Sequence, residues 1–175
     1  MKIYIVRHGQ VDHNLHKQYN NEDEDLNATG IKEAEEIKEM ISNIKYDVVI
    51  CSPLLRAIHT ANIINVSNKD LIIDERLKER DPASLSGQSI NFTDREEYWG
   101  YYSKIKYGTS ENIVTFFCRV HDFLDELKNK DYESVLIVAH SGVSKAFYGY
   151  FNGIPEDGKF LNLGLQNCEI KEYEI

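Results

Sequence analysis

Ser134-Val135-Leu136-Ile137-Val138-Ala139-His140-Ser141-Gly142 is the stretch from which the fold can be read. An almost continuous apolar run stops abruptly at a histidine followed by small residues. A strand without apolar/polar alternation is covered on both faces, as in a parallel sheet packed between helices. The pattern recurs at the start of the chain, where Lys2–Val6 leads into Arg7-His8-Gly9, and again where Asp47–Cys51 leads into Ser52-Pro53. Leu71–Asp74 and Cys168–Tyr173 are further β-rich runs, and the alternation in the last suits an edge strand.

Helical periodicity fills the gaps between these strands. In Thr29–Ile44, Ala34, Ile37, Ile41 and Ile44 recur at helical steps, with Asn27 placed to cap the N-terminus. Pro53–Ile64 reads as a helix capped by Ser52, with Pro53 in the first turn. Ser110–Lys128 aligns Ile113, Phe117, Val120, Leu124 and Leu127 on one stripe. A fourth helix runs from Gly142 through Tyr150 and stops near Gly153 and Pro155. Strands alternating with helices predict right-handed crossovers. The expected fold class is therefore α/β: a doubly wound, mainly parallel sheet flanked by helices, forming a single domain over residues 1–175. Residues 80–109 break the rhythm. They have no clean period, but they are dense in Tyr and carry the only Trp, Trp99, and they read as a short lid over a site.

Composition narrows the function. The 175 residues include 20 Lys plus Arg and 29 Asp plus Glu, for a formal net charge of −9. That balance excludes general nucleic-acid binding and docking on anionic membranes, both of which reward clustered cations. No apolar run approaches the ~20 residues of a membrane span, and no signal-peptide pattern follows Met1. Cys51, Cys118 and Cys168 form no CxxC pair and read as buried, reduced thiols of a cytoplasmic protein.

Ligands of open α/β sheets bind beyond the carboxyl ends of the strands. The residues that follow the strands there are Arg7, His8, Arg56, Glu79, His140, Ser141 and Gly142. Two arginine forks suit an anion with several oxygens, and phosphate fits better than a single carboxylate. Predicted helix N-termini after Ser52 and His140 add backbone N–H groups on the same rim. Histidine can attack phosphorus or donate to its oxygens, and a carboxylic acid can protonate a leaving oxygen.

Arg7-His8-Gly9 with Asn14 resembles the opening motif of the histidine phosphatase superfamily, which includes the cofactor-dependent phosphoglycerate mutases. The likeness continues in order through Leu26-Asn27-Ala28-Thr29-Gly30, Ser52-Pro53-Leu54-Leu55-Arg56-Ala57, Leu77-Lys78-Glu79 with Gly87, Ser110-Glu111-Asn112 with Arg119, and Val138-Ala139-His140-Ser141-Gly142. The resemblance implies a phosphoglycerate mutase-like fold and a site of known roles. His8 is the implied nucleophile, forming a phosphohistidine. Arg7, Arg56 and His140 hold the phosphoryl oxygens, with Asn14, Ser141 and Gly142 adding substrate contacts. Glu79 serves the leaving oxygen and then the attacking water. It further implies neither metal nor cofactor, and a small phosphorylated substrate. The sequence departs from the family pattern at Val11, where Thr or Ser is usual, and at Glu33, where Gln is usual. It departs again at Ala83 and Ser141, where Gly is usual or frequent, and at Lys145, where Arg is often found.

The chain's length favours a phosphatase over a phosphoglycerate mutase, because the mutases carry more inserted substrate-closing sequence. A domain that binds phospho-ligands without turnover would not need both His8 and Glu79. His13 and His16 lie near enough to the nucleophile loop to reach a substrate, and Lys104 and Lys106 are candidates for a second charged group on it.

Overall fold

The computed structural model describes residues 1–175. Its elements in chain order are β1 Lys2–Arg7, α1 Asp12–Leu15, α2 Ala28–Ser42, β2 Val48–Cys51, α3 Leu55–Ile64, β3 Leu71–Ile73, α4 Arg95–Tyr98, α5 Ile113–Leu127, β4 Ser134–Ala139, α6 Ser141–Asn152 and β5 Ile170–Glu174. The strands form one sheet in the order β3-β2-β4-β1-β5. β1, β2, β3 and β4 run parallel to one another, and β5 runs antiparallel beside β1. The doubly wound, mainly parallel α/β architecture expected from the apolar runs is present.

Strand pleating divides the interior in two. Ile3, Ile5, Val48, Ile50, Val135 and Ile137 point to the face covered by α5 and α6, where Phe116, Phe117, Phe147 and Phe160 are fully buried. Val6, Val49, Cys51, Leu136 and Val138 point to the opposite face, under α2 and α3. Side chains of period two thus supply two cores from one apolar strand, which is why β2, and β4 after Ser134, are apolar throughout.

Most helix boundaries follow local chemistry. Asn27 caps α2, its side chain accepting from Gly30 N at 2.9 Å. Asn112 caps α5 by accepting from Val114 N and Thr115 N. The α3 boundary differs from the sequence expectation: the helix starts at Leu55, with no side-chain cap. The Ser52 hydroxyl lies 2.7 Å from Nε2 of His140, and only a long 3.4 Å contact reaches it from Leu54 N. Cys118 is a second correction. Cys51 and Cys168 are buried, but Cys118 sits on the outer side of α5 and is exposed. No helix is long and apolar enough to cross a membrane.

Residues 80–109 form a wall tied to the body of the protein. α4 and short 3-10 turns are joined by isolated bridges pairing Gln18 with Ser89 and Gly100 with Lys159. Tyr98 is buried, and Trp99 and Tyr101 pack against the aromatic core, whereas Phe92 and Tyr102 face solvent.

Candidate active site

The strand ladder continues one residue past its ends, and this brings the site together. His8 N donates to Ala139 O at 3.0 Å, and Ser52 N donates to Val138 O at 3.0 Å. His8, Ser52 and His140 therefore emerge side by side from β1, β2 and β4. The His8 and His140 rings lie 5.0 Å apart at 62°. Both histidines are buried, and Arg7, Asn14, Arg56, Glu79 and Ser141 line a cavity of about 810 Å³.

His8 Nδ1 lies 2.7 Å from Gly9 O. A carbonyl oxygen only accepts, so Nδ1 carries the proton and neutral His8 keeps its lone pair on Nε2. Burial, then the Arg56 and Arg7 charges, hold the His8 pKa well below the ordinary histidine value. His140 is held low in the same way by burial, Arg56 and His8. Gly9 is required by packing: a Cβ there would stand 2.3 Å from Gly30 O, where the loop crosses the start of α2. Glu33 reaches the same crossing, accepting from Gln10 N at 2.7 Å.

Arg7 and Arg56 face the cavity from the last position of β1 and the first turn of α3. Arg7 donates to Leu165 O at 3.0 Å, and Arg56 to Asn21 O at 2.8 Å. Three buried side-chain nitrogens in the protein have no hydrogen-bond partner: Nε of Arg7, Nε of Arg56 and Nδ1 of His140. All three belong to residues singled out from the sequence. Burying unpaired polar nitrogens costs free energy, so a cluster of them marks a place where a ligand's oxygens are expected.

Glu79 lines the cavity beside the start of α6. Its Oε1 accepts from Arg80 N at 2.8 Å and its Oε2 from Gly142 N at 3.1 Å. The Gly142 amide is thus engaged by the carboxylate and is not free for a substrate. A Cβ on Gly142 would stand 2.0 Å from Glu79 Oε1 and 2.8 Å from Trp99 Cη2, so glycine lets the acid approach. The backbone that carries Glu79 is clamped from behind. Arg119 donates to the carbonyls of Arg76, Lys78 and Glu79 and forms an ion pair with Glu111.

Asn14 and Ser141 both line the cavity. Asn14 belongs to a relay: Asn167 Nδ2 donates to His8 O at 2.9 Å and reaches Asn14 Oδ1 at 3.4 Å. Asn167 precedes the edge strand in sequence, and no periodicity there points to it. His13 lines the mouth but is paired with Glu24 at 2.6 Å, and His16 is exposed outside the lining. Lys104 and Lys106 do not reach this cavity. Lys106 borders a separate, smaller one of about 270 Å³ behind the wall. The cations that do line the main cavity include Lys17, Arg80, Arg95 and Lys145. Lys145 is the one that sequence spacing could have exposed: four residues after Ser141 on a helix, it shares that residue's face. No group of three or more His, Cys, Asp or Glu side chains is placed to hold a metal ion.

The fold is that of the phosphoglycerate mutase-like proteins. The alpha-ribazole phosphatase of Shigella flexneri superposes with a TM-score of 0.85 at 23% identity, covering 100% of this chain and 91% of that one. The family model described as histidine phosphatase superfamily (branch 1) matches residues 3–175, and the chain belongs to that superfamily. An uncharacterised phosphatase of Bacillus subtilis is 32% identical over 187 residues, covering 99% of this chain and 94% of that protein. A 2,3-bisphosphoglycerate-dependent phosphoglycerate mutase of Rhizobium rhizogenes is 38% identical over 105 residues, covering 56% of this chain and 49% of that protein.

Proposed function

We propose that the protein is a phosphomonoesterase that carries the phosphoryl group of a small metabolite on His8 before releasing it to water. The observation that carries this reading is the trio of unpartnered nitrogens on Arg7, Arg56 and His140 beside a histidine whose free lone pair is fixed on Nε2. In the first step Nε2 of His8 attacks phosphorus and the ester P–O bond breaks. Glu79 delivers a proton to the departing oxygen. In the second step Glu79 takes a proton from water, the water oxygen attacks phosphorus, and the P–N bond breaks, returning neutral His8 and inorganic phosphate. Arg7, Arg56 and His140 meet the charge on the equatorial oxygens throughout, a positioning and electrostatic task. Asn14 and Ser141 bound the space for the substrate.

The likeness to a phosphatase at 32% identity over 99% of this chain supports hydrolysis. The mutase likeness supports a second reading, return of the phosphoryl group to another hydroxyl of the substrate. Assay with p-nitrophenyl phosphate, with and without EDTA, tests the first: phosphate release is expected in both, and His8→Ala abolishes it. Full activity in His8→Ala contradicts the mechanism. Interconversion of 3- and 2-phosphoglycerate faster than phosphate release selects the mutase.

A further inference from the structure

Lys145 lines the cavity yet is only 4% exposed. Its Nζ has a single hydrogen bond, to the Ser141 hydroxyl at 3.3 Å, and stands 4.9 Å from the centre of the Trp99 ring. No carboxylate forms an ion pair with it, although most lysines paired in this protein lie at the surface. A buried ammonium is costly unless an anion or several hydrogen bonds compensate it, and here the protein supplies one hydroxyl and an aromatic face. Burial lowers the Lys145 pKa to about 8, with Glu79 opposing the shift and Arg7 and Arg95 adding to it.

The surroundings keep room for that ammonium. A Cβ on Gly164 would stand 2.2 Å from Lys145 Nζ and 2.4 Å from Ser141 Oγ, so the bare backbone of Gly164 leaves the space that the ammonium occupies. Arg95, exposed on α4, lines the same cavity and has no carboxylate partner. The position is also chemically specific. Ser141, which Lys145 touches, is adjacent to Gly142, whose amide holds the Glu79 carboxylate at 3.1 Å. Nζ therefore lies on the leaving-group side of the site, near the proton donor.

We propose that Lys145, set against Trp99 and Gly164, is a specificity-determining residue that binds a carboxylate borne by the substrate's leaving group. This rests on the phosphomonoesterase reading and narrows it. The favoured substrates are phosphomonoesters with a carboxylate a short tether from the ester oxygen, not esters of neutral alcohols or of amines alone. O-phosphoserine and O-phosphoethanolamine differ only by that carboxylate, so the ratio of their kcat/KM values isolates the contact. The wild-type enzyme is expected to prefer phosphoserine by tenfold or more. In Lys145→Met the ratio falls at least tenfold, through KM for phosphoserine, and Lys145→Arg recovers part of it. A wild-type ratio near one overturns the proposal without any variant. So does an equal loss on both esters in Lys145→Met, which would make Lys145 a partner of Glu79 alone. Absence of phosphate release from either ester and from p-nitrophenyl phosphate overturns the phosphomonoesterase reading instead.

Discussion

The cavity contains two kinds of arginine. Arg7 and Arg56, on the floor, each make one hydrogen bond to a carbonyl and leave a buried Nε without a partner. Arg80, in the wall, and Arg119, on α5 behind Glu79, are bonded to the protein itself. Arg80 donates to Glu111 O and Tyr98 O and lies over the Tyr98 ring, and Arg119 holds three carbonyls and Glu111. Lining a cavity does not by itself make an arginine a ligand-binding residue. The unengaged donors separate the residues that we propose meet the phosphoryl group from those that build the site.

The contrast is sharpest between Arg56 and Arg119. Arg56→Ala is expected to lower kcat/KM by 10²–10³, about 3–4 kcal/mol of transition-state stabilisation, with a small change in melting temperature. Arg119→Ala is expected to cost about 2–3 kcal/mol of folding stability, because it strands Glu111 and the carbonyls behind Glu79. Parallel phosphatase assays and denaturant melts decide this. If Arg56→Ala unfolds the protein while Arg119→Ala is silent, the distinction between the two kinds of arginine fails.

Acid sensitivity comes next in size. The floor favours neutral His8 and His140, both held below the ordinary histidine pKa chiefly by burial. Between pH 6.5 and their folded values the unfolded chain binds more protons, so stability falls as pH falls. Each group contributes up to roughly 1.4 kcal/mol per pH unit. Chemical denaturation at pH 7 and pH 5 is expected to show this loss, reduced by about half in His140→Gln. A flat profile over that window would mean that the floor tolerates charged histidines.

The smallest effect concerns a departure from the family pattern. Ala83, where glycine is usual, adopts φ 45°, a left-handed conformation that costs a side-chain-bearing residue roughly 1–2 kcal/mol. The backbone of Glu79 stays in place because Arg119 holds it. Ala83→Gly is expected to gain about 1 kcal/mol or less in a urea melt, with kcat/KM within twofold. A large activity change would show that the wall's strain reaches the site.

These comparisons also mark what the sequence could convey. The strands were legible because apolar runs buried on both faces leave a local signal, and the β4 run Ser134–Ala139 coincides with the observed strand. Arg7, His8, Arg56, Glu79 and His140 were legible because a parallel sheet puts the residues after its strands on one rim. Contacts between distant segments left no such mark. Ser52 reads locally as a helix cap, but its hydroxyl meets His140, 88 residues away. The wall at 80–109 lacks periodicity because side chains such as Arg80, bonded to Glu111 O and Tyr98 O, organise it in place of a regular ladder. A whole-chain charge says little about one pocket. The chain carries −9, yet five of its six arginines line the cavity, and the acidic loop at Glu22–Asp25 leans on the mouth, with Glu24 holding His13 and Asn20.

The central claim is the covalent one, that His8 Nε2 carries the phosphoryl group. Rapid quenching of the enzyme with a phosphomonoester into alkali, where phosphohistidine survives, followed by peptide mass spectrometry, tests it directly. The expected result is one phosphoryl group, located on His8, formed before phosphate release and absent from His8→Ala. Phosphorylation of another residue, or turnover of the wild-type enzyme at full rate with no phosphoryl-enzyme formed, would contradict it.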